Sequence, residues 1–577
     1  MNNWIITKSS PEAINENFND HIDLNLGFRL SFTLNETDYF FNKNTRSGIF
    51  VFGYYTYRLN QSERIKDLNS LHEVLEGNIE LLPKIIKGVF TIILISNGNF
   101  TIINDPLGIS KFFYSKDLSY FAGRIKPLKD QTKAALSQNN LLEYYVFNYC
   151  LNGHTFFQNI NYSIAASCFK LIPNGQIVTN TYFDIIKYLS EPMPKISSKE
   201  VFGKVSEQWL KIIKQWQNEL NGQKASLTLT AGVDSRIILG SFLKSGYKPF
   251  DTFTFGHELS SDVRFAKLLA DKYCIPHKHV YPEIEFFEGF DQKAKSVFNE
   301  GDTLVSLYRA HRQDAYSKLK DNTGAIFMGM AGSDLVRGFG YNGLITSPLA
   351  YHCLNKKEFY KFFHDKSIKE KLNAIGFPSF DSIIDNEATY SYIKHPLHYL
   401  FKVIIPLHFS QDVLINSNMG INTYLPFLDF DYLDILLQTN YFGHVDYNNY
   451  KFLDIKRRAR GLYYSAMLAK TMHPELANFS LGKGYSPDDI VKSRILTLIK
   501  GSLYKFSKEK RSDVANFSYG TWFWEFLISY FQSNDIGETT LNKEYLFKQL
   551  LNTAKSGGEL HFLDFVKAVN VHMATKL

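Results

Sequence analysis

The stretch that decides the reading is Leu227-Thr228-Leu229-Thr230-Ala231-Gly232-Val233-Asp234-Ser235-Arg236. Its first half is a short apolar strand, and its second half turns through the small residues Ala231 and Gly232 into a helix. No bulky side chain shields the backbone at that corner, so consecutive N–H groups between Thr230 and Ser235 can face phosphate oxygens from the start of the helix. Asp234 can hold magnesium, and Ser235 can donate a hydroxyl. A strand, a small-residue corner and a helix recur throughout α/β proteins, so the neighbouring segments have to supply the specificity.

Downstream the pattern alternates. A helix from Arg236 to Ser245 is followed by a strand at Thr252-Phe253-Thr254-Phe255, a helix from Asp262 to Lys272 and a strand at Lys278-His279-Val280. Such alternation predicts a parallel sheet covered on both faces, with ligands at the carboxyl ends of its strands. Upstream, Pro192 and Pro194 among polar residues mark a linker. Ser197 and Glu200 then read as a capping box for a helix whose apolar positions are Val201, Val205, Trp209, Ile212, Trp216 and Leu220. Residues 25 to 125 read as short antiparallel strands. Among them is a hairpin from Gly88–Ile95 through Asn97-Gly98-Asn99 to Phe100–Ile103, and helices are expected at Leu68 to Leu75 and Leu141 to Asn148. Beyond about residue 350 the chain reads as mostly helical.

A chain of 577 residues exceeds one ordinary core, and 45% hydrophobic with 21% charged residues is the balance of a soluble globular protein. The division expected is 1–190 and 191–577. A net charge of +7 is spread too thinly for nucleic acid to be the main partner. The aromatic content of 15% suits large aromatic cores or a peptide-like binding cleft. No apolar run approaches the roughly 20 residues that span a bilayer, so no membrane partner is expected. The opening residues lack a secretion pattern, and Cys150, Cys168, Cys274 and Cys353 form neither a disulfide framework nor a metal spacing, so a cytoplasmic location is expected.

Two further segments carry chemistry. Ile326-Phe327-Met328-Gly329-Met330-Ala331-Gly332-Ser333-Asp334 is again an apolar strand ending in small residues and an aspartate. If the two strands are neighbours, Asp234 and Asp334 can flank one magnesium that bridges phosphates. In Leu481-Gly482-Lys483-Gly484-Tyr485-Ser486-Pro487 a lysine between glycines can approach a ligand closely and neutralise charge developing on an α-phosphate and acyl oxygen. The basic run Lys456-Arg457-Arg458-Ala459-Arg460 and the segment Lys500 to Arg511 fit solvated helix faces, with an acidic peptide or RNA as the alternative. His257, His277 and His279 lack a metal-ligand spacing.

The first loop resembles the pyrophosphate loop of N-type ATP pyrophosphatases, with Thr230 and Ala231 replacing a serine and a glycine. Taken in order, the pieces resemble the asparagine synthetase family, which includes β-lactam synthetase, carbapenam synthetase and the lasso-peptide macrolactam cyclases. Gly88-Val89-Phe90 and Asp105-Pro106-Leu107-Gly108 look like the family's amino-terminal domain. Asp234-Ser235, Gly332-Ser333-Asp334 and Lys483 look like its synthetase core, with Thr254-Phe255-Gly256, Ser261-Asp262, Ala266 and Tyr424-Leu425-Pro426-Phe427-Leu428-Asp429 as further matching segments. The resemblance implies an α/β protein: a glutaminase-like, Ntn-type α+β sandwich followed by a parallel-sheet ATP pyrophosphatase domain of the adenine nucleotide α-hydrolase-like kind, with a helical carboxyl-terminal part. It implies ATP and Mg2+ as cofactors, bound by Thr230, Ala231, Gly232, Val233, Asp234, Ser235, Phe255, Gly256, Gly332 and Asp334, and catalysis by Lys483, Asp234 and Asp334.

The chain also departs from that family. Glutamine-dependent members use an amino-terminal cysteine, whereas the second residue here is Asn2, so the first domain is expected to be a scaffold without glutaminase activity. Where β-lactam-forming members place the base for amine attack, this chain has Ala331 and Asn422, neither of which is a base at neutral pH. Tyr424 and Tyr485 are candidates by proximity in sequence. The expected activity is an AMP-forming amide ligase acting on a small-molecule or peptide substrate, with a precursor peptide or companion biosynthetic protein as further partners. An ammonia-using asparagine synthetase and a nucleotide-binding pseudoenzyme scaffold are the alternatives.

Overall fold

The computed structural model describes residues 3–8, 18–60, 63–64, 67–220, 222–249, 251–337, 370, 373–374, 396–442, 455–513, 520–536, 542–556 and 562–576. Its strands are β1 Trp4–Thr7, β2 Asp20–Asp23, β3 Arg29–Phe32, β4 Tyr39–Asn42, β5 Ser47–Asn60, β6 Glu63–Arg64, β7 Ile86–Ser96, β8 Asn99–Asn104, β9 Phe113–Ser115 and β10 Tyr120–Ala122. They continue as β11 Ile160–Tyr162, β12 Ser167–Leu171, β13 Ile177–Thr181, β14 Ala225–Thr228, β15 Asp251–Phe255, β16 His277–Val280, β17 Ala325–Phe327 and β18 Asn422–Tyr424.

The first thirteen strands form two sheets with antiparallel pairings, ordered β11-β9-β10-β1-β3-β2 and β13-β12-β8-β7-β5-β4, with β6 added on β5. The expected hairpin is present: β7 and β8 pair from Thr91 with Asn104 to Ser96 with Asn99. Asn97 (φ 51°) and Gly98 (φ 79°) both adopt the left-handed conformation that a two-residue hairpin turn demands. Period-two alternation then sorts side chains to two faces. Trp4, Ile6 and Phe32 of one sheet meet Phe50, Phe52, Ile93, Ile102 and Phe169 of the other in a largely aromatic core. The outer face of the seven-stranded sheet (Ile49, Val51, Ile92, Leu94) is covered by the helix Leu68–Leu75. The outer face of the other packs on the helices Ile125–Thr132 and Gln138–Phe147.

The helix Val201–Glu219 starts four residues after Ser197, because Ser197 Oγ bonds the Glu200 carboxylate (2.8 Å) and neither side chain caps a backbone N–H. Its periodic apolar residues are all buried, and they lead the chain to β14. The third sheet is wholly parallel, in the order β16-β15-β14-β17-β18. The chain moves outward from β14 through β15 to β16 and then returns to build β17 and β18 on the other side. The change of direction at β14 sets the loops that leave the carboxyl ends of β14 and β17 beside each other, and the helices that follow them, Val233–Lys244 and Gly332–Arg337, both pack on the helix Ile455–Met472.

The two parts are joined by buried polar contacts. Lys87 of β7 pairs with Asp429 (2.9 Å) and Asp431, and Asp429 also caps the helix Phe430–Leu437 and accepts from Trp216 Nε1 at 3.2 Å. Buried Lys111 donates to Gly108 O (3.0 Å) and to Pro406 O. Asp105 accepts the N–H groups of Leu107, Ile109 and Ser110, so its motif is a loop anchor. Most described residues beyond 396 are helical; those between 338 and 395, Cys353 included, lie almost wholly outside the described set. Among the described residues no helix is long and apolar enough to cross a membrane.

Candidate functional site at the switch point of the parallel sheet

Leu227 lies level with Phe327 on neighbouring strands, so the two small-residue loops leave the sheet side by side. Asp234 stands in the first turn of the helix Val233–Lys244. Ser333 reaches it twice: its N–H donates to Oδ2 at 3.1 Å and its hydroxyl to Oδ1 at 2.9 Å. Burial raises the Asp234 pKa, while Arg337 and the two Ser333 bonds favour the charged form. Two glycines permit this approach. A Cβ on Gly329 would come to 3.0 Å from Ser235 N and 3.1 Å from Asp234 Cβ, and one on Gly332 to 3.0 Å from Asp234 Oδ1 and 2.9 Å from Phe427. Between them, Ala331 holds a left-handed backbone (φ 67°), a strained state for a residue with a Cβ. Asp334 follows Ser333 in the first turn of the helix Gly332–Arg337 and is half-buried.

The third loop joins them. Gly482 (φ 67°) is packed so closely that a Cβ there would lie 3.3 Å from Ala231 Cβ and 3.0 Å from Ser261 Oγ. Lys483 projects exposed from the neighbouring position. What fixes this contact is Arg236, whose place in the opening stretch carried no assigned role. Its buried guanidinium donates to Ala231 O (3.0 Å), Phe479 O (2.7 Å) and Ser480 O, stitching the first loop to the third. Burial pulls its pKa down to about 10, opposed by Asp262.

Three backbone N–H groups of the first loop have partners within the chain. Thr230 N–H donates to Ser235 Oγ (3.2 Å), Ala231 N–H to Asp262 Oδ1 (2.9 Å) and Gly232 N–H to Thr230 Oγ1 (3.0 Å).

Phe255 ends β15, half-buried, with the Arg312 guanidinium carbon 5.2 Å from its ring centroid and Tyr316 packed edge-on at 5.4 Å. Behind it lies a buried polar cluster that no sequence motif announces, because its members come from separate helices. Asp412 Oδ1 accepts from Arg312 and Tyr316, each at 3.0 Å, and Arg309 stands 3.5 Å from Oδ2. Those two arginines hold the Asp412 carboxyl below its usual range, and burial beside Arg309 pushes His408 down to about 3. Gly256 N–H donates to Val280 O at 3.0 Å and its carbonyl meets His279. His277 Nδ1 lies 2.9 Å from Thr252 Oγ1, and burial lowers its pKa to about 4, so these rings are structural.

Tyr424 is removed as a candidate base. Its ring packs on Tyr54 and Trp216 against the first part of the chain, and burial raises its phenol to about 12. Tyr485 is half-buried near Arg337, and burial raises its pKa as well. Asn422 opens the amino end of β18, facing the clefts shared with Tyr54. Cys150 and Cys168 are buried with their thiols pushed up, and Cys274 is exposed. In the basic segment, Lys500 pairs with Asp489 at 2.7 Å on the helix Arg494–Phe506. Among the described residues no three His, Cys, Asp or Glu side chains gather to hold a metal ion. Asp234 and Asp334 stand in the first turns of the helices that follow the neighbouring strands β14 and β17.

No protein-family profile matches the chain, and no curated protein matches it. Among solved structures it is similar to a glutamine phosphoribosylpyrophosphate amidotransferase from B. subtilis complexed with ADP and GMP, at 10% identity and a TM-score of 0.18, over 44% of this chain and 51% of that one. The chain thus matches about half the length of that enzyme.

Proposed function

We propose that the chain is an ATP-dependent, AMP-forming amide ligase that adenylates a substrate carboxylate and joins it to an amine on a peptide or peptide-like substrate. Residues 1–190 serve as a glutaminase-like, Ntn-type scaffold and residues 191–577 as the synthetase part. The observation that carries this reading is the meeting of three loops: Ser333 on Asp234 at 2.9 and 3.1 Å, and Gly482 against Ala231. Aspartates at adjacent helix starts and an ammonium on a glycine-flanked tip are the charges that pyrophosphate departure calls for.

In this reading the substrate carboxylate attacks the α-phosphorus, and AMP then replaces hydroxide as the leaving group when the amine attacks the acyl carbon. Magnesium, when bound by Asp234 and Asp334, supplies positive charge beside the departing pyrophosphate. Ser333 orients the Asp234 carboxylate and favours its charged form against the upward pull of burial, while leaving a lone pair on each oxygen. Arg236 holds the Lys483 loop against the nucleotide loop.

A pseudoenzyme is the second reading, favoured by the internal engagement of the Thr230, Ala231 and Gly232 N–H groups and by the missing base at Ala331 and Asn422. Substrate-dependent exchange of labelled pyrophosphate into ATP, screened over amino acids and short peptides, separates the two. The ligase exchanges, and Asp234→Ala abolishes exchange without altering the circular dichroism spectrum. Undiminished exchange in a folded Asp234→Ala protein removes Asp234 from the site, and no exchange with any substrate leaves the scaffold.

A further inference from the structure

The helix Arg494–Phe506 turns its apolar side to solvent, where a surface helix normally turns it to the core. At roughly 3.6 residues per turn, Ile495, Leu498, Ile499, Leu503 and Phe506 fall within one arc of about 140°. Each of the five is between 52% and 77% exposed. Tyr504, on the opposite side, is buried and holds the helix to the body. A contiguous outward apolar face of this kind marks an interaction site. We propose that it docks the protein on an anionic lipid surface, with the helix lying in the interface rather than crossing the bilayer. Lying on a surface needs neither the length nor the unbroken apolar run of a span, and these 13 residues cover about 20 Å.

Charge and shape choose the partner. From Lys492 to Asp513 the chain carries seven Lys and Arg against two Asp and Glu, so the segment is basic well beyond the chain's average. Three of the seven have carboxylate partners: Lys492 pairs with Asp488, Lys500 with Asp489 and Lys510 with Asp513. Arg494, Lys505, Lys508 and Arg511 are exposed and make no ion pair among the described residues. Arg494 and Lys505 border the apolar arc beside Leu498, and Lys508 and Arg511 stand on the short helix Lys508–Ser512 that follows. Cationic groups flanking an outward apolar face are what a helix needs to bind among anionic headgroups. The same charges oppose a second copy of the chain, since antiparallel pairing of two such helices sets Arg494 of one against Lys505 of the other. The face is also convex, and its back is packed: a Cβ on Gly501 would lie 3.3 Å from the Tyr485 ring. A groove that wraps a helix cannot close around it, whereas a plane meets the whole arc.

This helix backs the third loop of the site. A Cβ on Gly484 would strike Tyr504 Cβ and the Lys500 carbonyl, so the loop that carries Lys483 rests directly on it. Asp513, at the end of the basic segment, accepts the Ser261 N–H at 2.7 Å, and Ser261 packs on Gly482. Docking therefore brings the meeting of the three loops close to the lipid headgroups. The claim stands apart from the ligase reading, because it is tested without nucleotide.

The test is co-sedimentation of the full chain with vesicles of phosphatidylcholine alone and of phosphatidylcholine with about one-third phosphatidylglycerol. The chain is expected to bind the anionic vesicles well above the neutral ones, and added salt releases it. Lys505→Gln, Lys508→Gln and Arg511→Gln together should lower the partition coefficient about a hundredfold, at about fivefold per charge. Leu498→Gln with Leu503→Gln should lower it by about tenfold or more, while the thermal midpoint stays unchanged because both side chains face solvent and glutamine keeps helix propensity. Equal binding to the two kinds of vesicle, or variants that partition like the unaltered chain, overturns the proposal. Binding to neither kind overturns it and leaves the face to an acidic protein. Sedimentation without lipid reads the remaining occupant: a dimer that the leucine variant dissolves assigns the face to a second copy and overturns the proposal as well. Each outcome is independent of pyrophosphate exchange.

Discussion

Replacing Arg236 by methionine tests whether the Thr230–Ser235 loop and the Lys483 loop form one unit. The guanidinium is 1% exposed and donates to three carbonyls, those of Ala231, Phe479 and Ser480. Charge-assisted bonds of this kind contribute about 2 kcal/mol each, so about 6 kcal/mol together. Against this stands burial, which Asp262 partly offsets: the net fall of its pKa from 12.5 to about 10 corresponds to about 3 kcal/mol. The difference, about 3 kcal/mol, is the expected loss in Arg236→Met, and it falls on the joint between the two loops. Hydrogen exchange reads it locally. The Leu481 N–H, bonded to Tyr485 O at 2.9 Å, should exchange about a hundredfold faster, whereas amides of the β7–β8 hairpin keep their protection. Arg236→Lys should recover part of the protection, because one ammonium cannot span three carbonyls in the planar fork geometry. Unchanged protection at Leu481 in Arg236→Met would refute the claim that this side chain joins the loops.

Gly329→Ala drives a methyl into Ser235 N and the Asp234 backbone, neither of which can swing aside, and should destabilise the chain by about 1–3 kcal/mol in thermal unfolding. The control Gly203→Ala, on an exposed helical position with nothing within 4 Å, should be neutral or stabilising by about 1 kcal/mol; equal effects would show that the two loops do not touch. Burial pulls Lys111 from 10.5 down to about 7, so between those values the unfolded chain binds more protons than the folded one and stability rises with pH, by up to about 1.4 kcal/mol per unit. Asp105, raised by burial from 3.8 to about 6, acts in the acid range, where the folded chain keeps a proton the unfolded one loses and stability falls as pH rises. Urea unfolding across the alkaline window should show the rise, and Lys111→Met should flatten it; an equal slope in both proteins would place the titrating group elsewhere.

Local signals were legible where they were covalently local. The Asn97-Gly98 turn, the helix Leu68–Leu75 and the β-α alternation after Leu227 follow from residues that read the same in any surroundings. Strand order was less so. Neighbouring β14 and β17 was a supposition resting on two similar loops, and only hydrogen bonding between distant segments makes Leu227 level with Phe327. The capping box at Ser197 failed because a serine and a glutamate three apart can also satisfy each other, leaving the backbone aside. Arg236 was hidden in plain sight, since its partners Phe479 and Ser480 lie more than two hundred residues away and are backbone atoms, which carry no sequence signature. Gly329 and Gly332 were readable as small residues, but not as the reason Ser333 reaches Asp234.

The engaged N–H groups of the Thr230–Gly232 loop bear on how the proposed nucleotide site would open. Left unpaired, a donor at a helix start would cost about 1–3 kcal/mol, and a chain without nucleotide has to meet that demand from its own atoms. Here Ala231 N–H is satisfied by Asp262 Oδ1 at 2.9 Å, a carboxylate oxygen in the place that the proposed ligase gives to a phosphate oxygen. Asp262 stands in the first turn of the helix Ser261–Lys272, where its charge also favours the buried Arg236 guanidinium. In the proposed ligase, entry of a phosphate exchanges one anion for another at the same N–H. The field at the loop changes little in that exchange, and the Arg236 joint that carries the Lys483 loop keeps an anionic neighbour in both states. A neutral stand-in, such as a water or an amide oxygen, would leave the joint to gain its anion only on binding; the carboxylate keeps the two loops assembled beforehand.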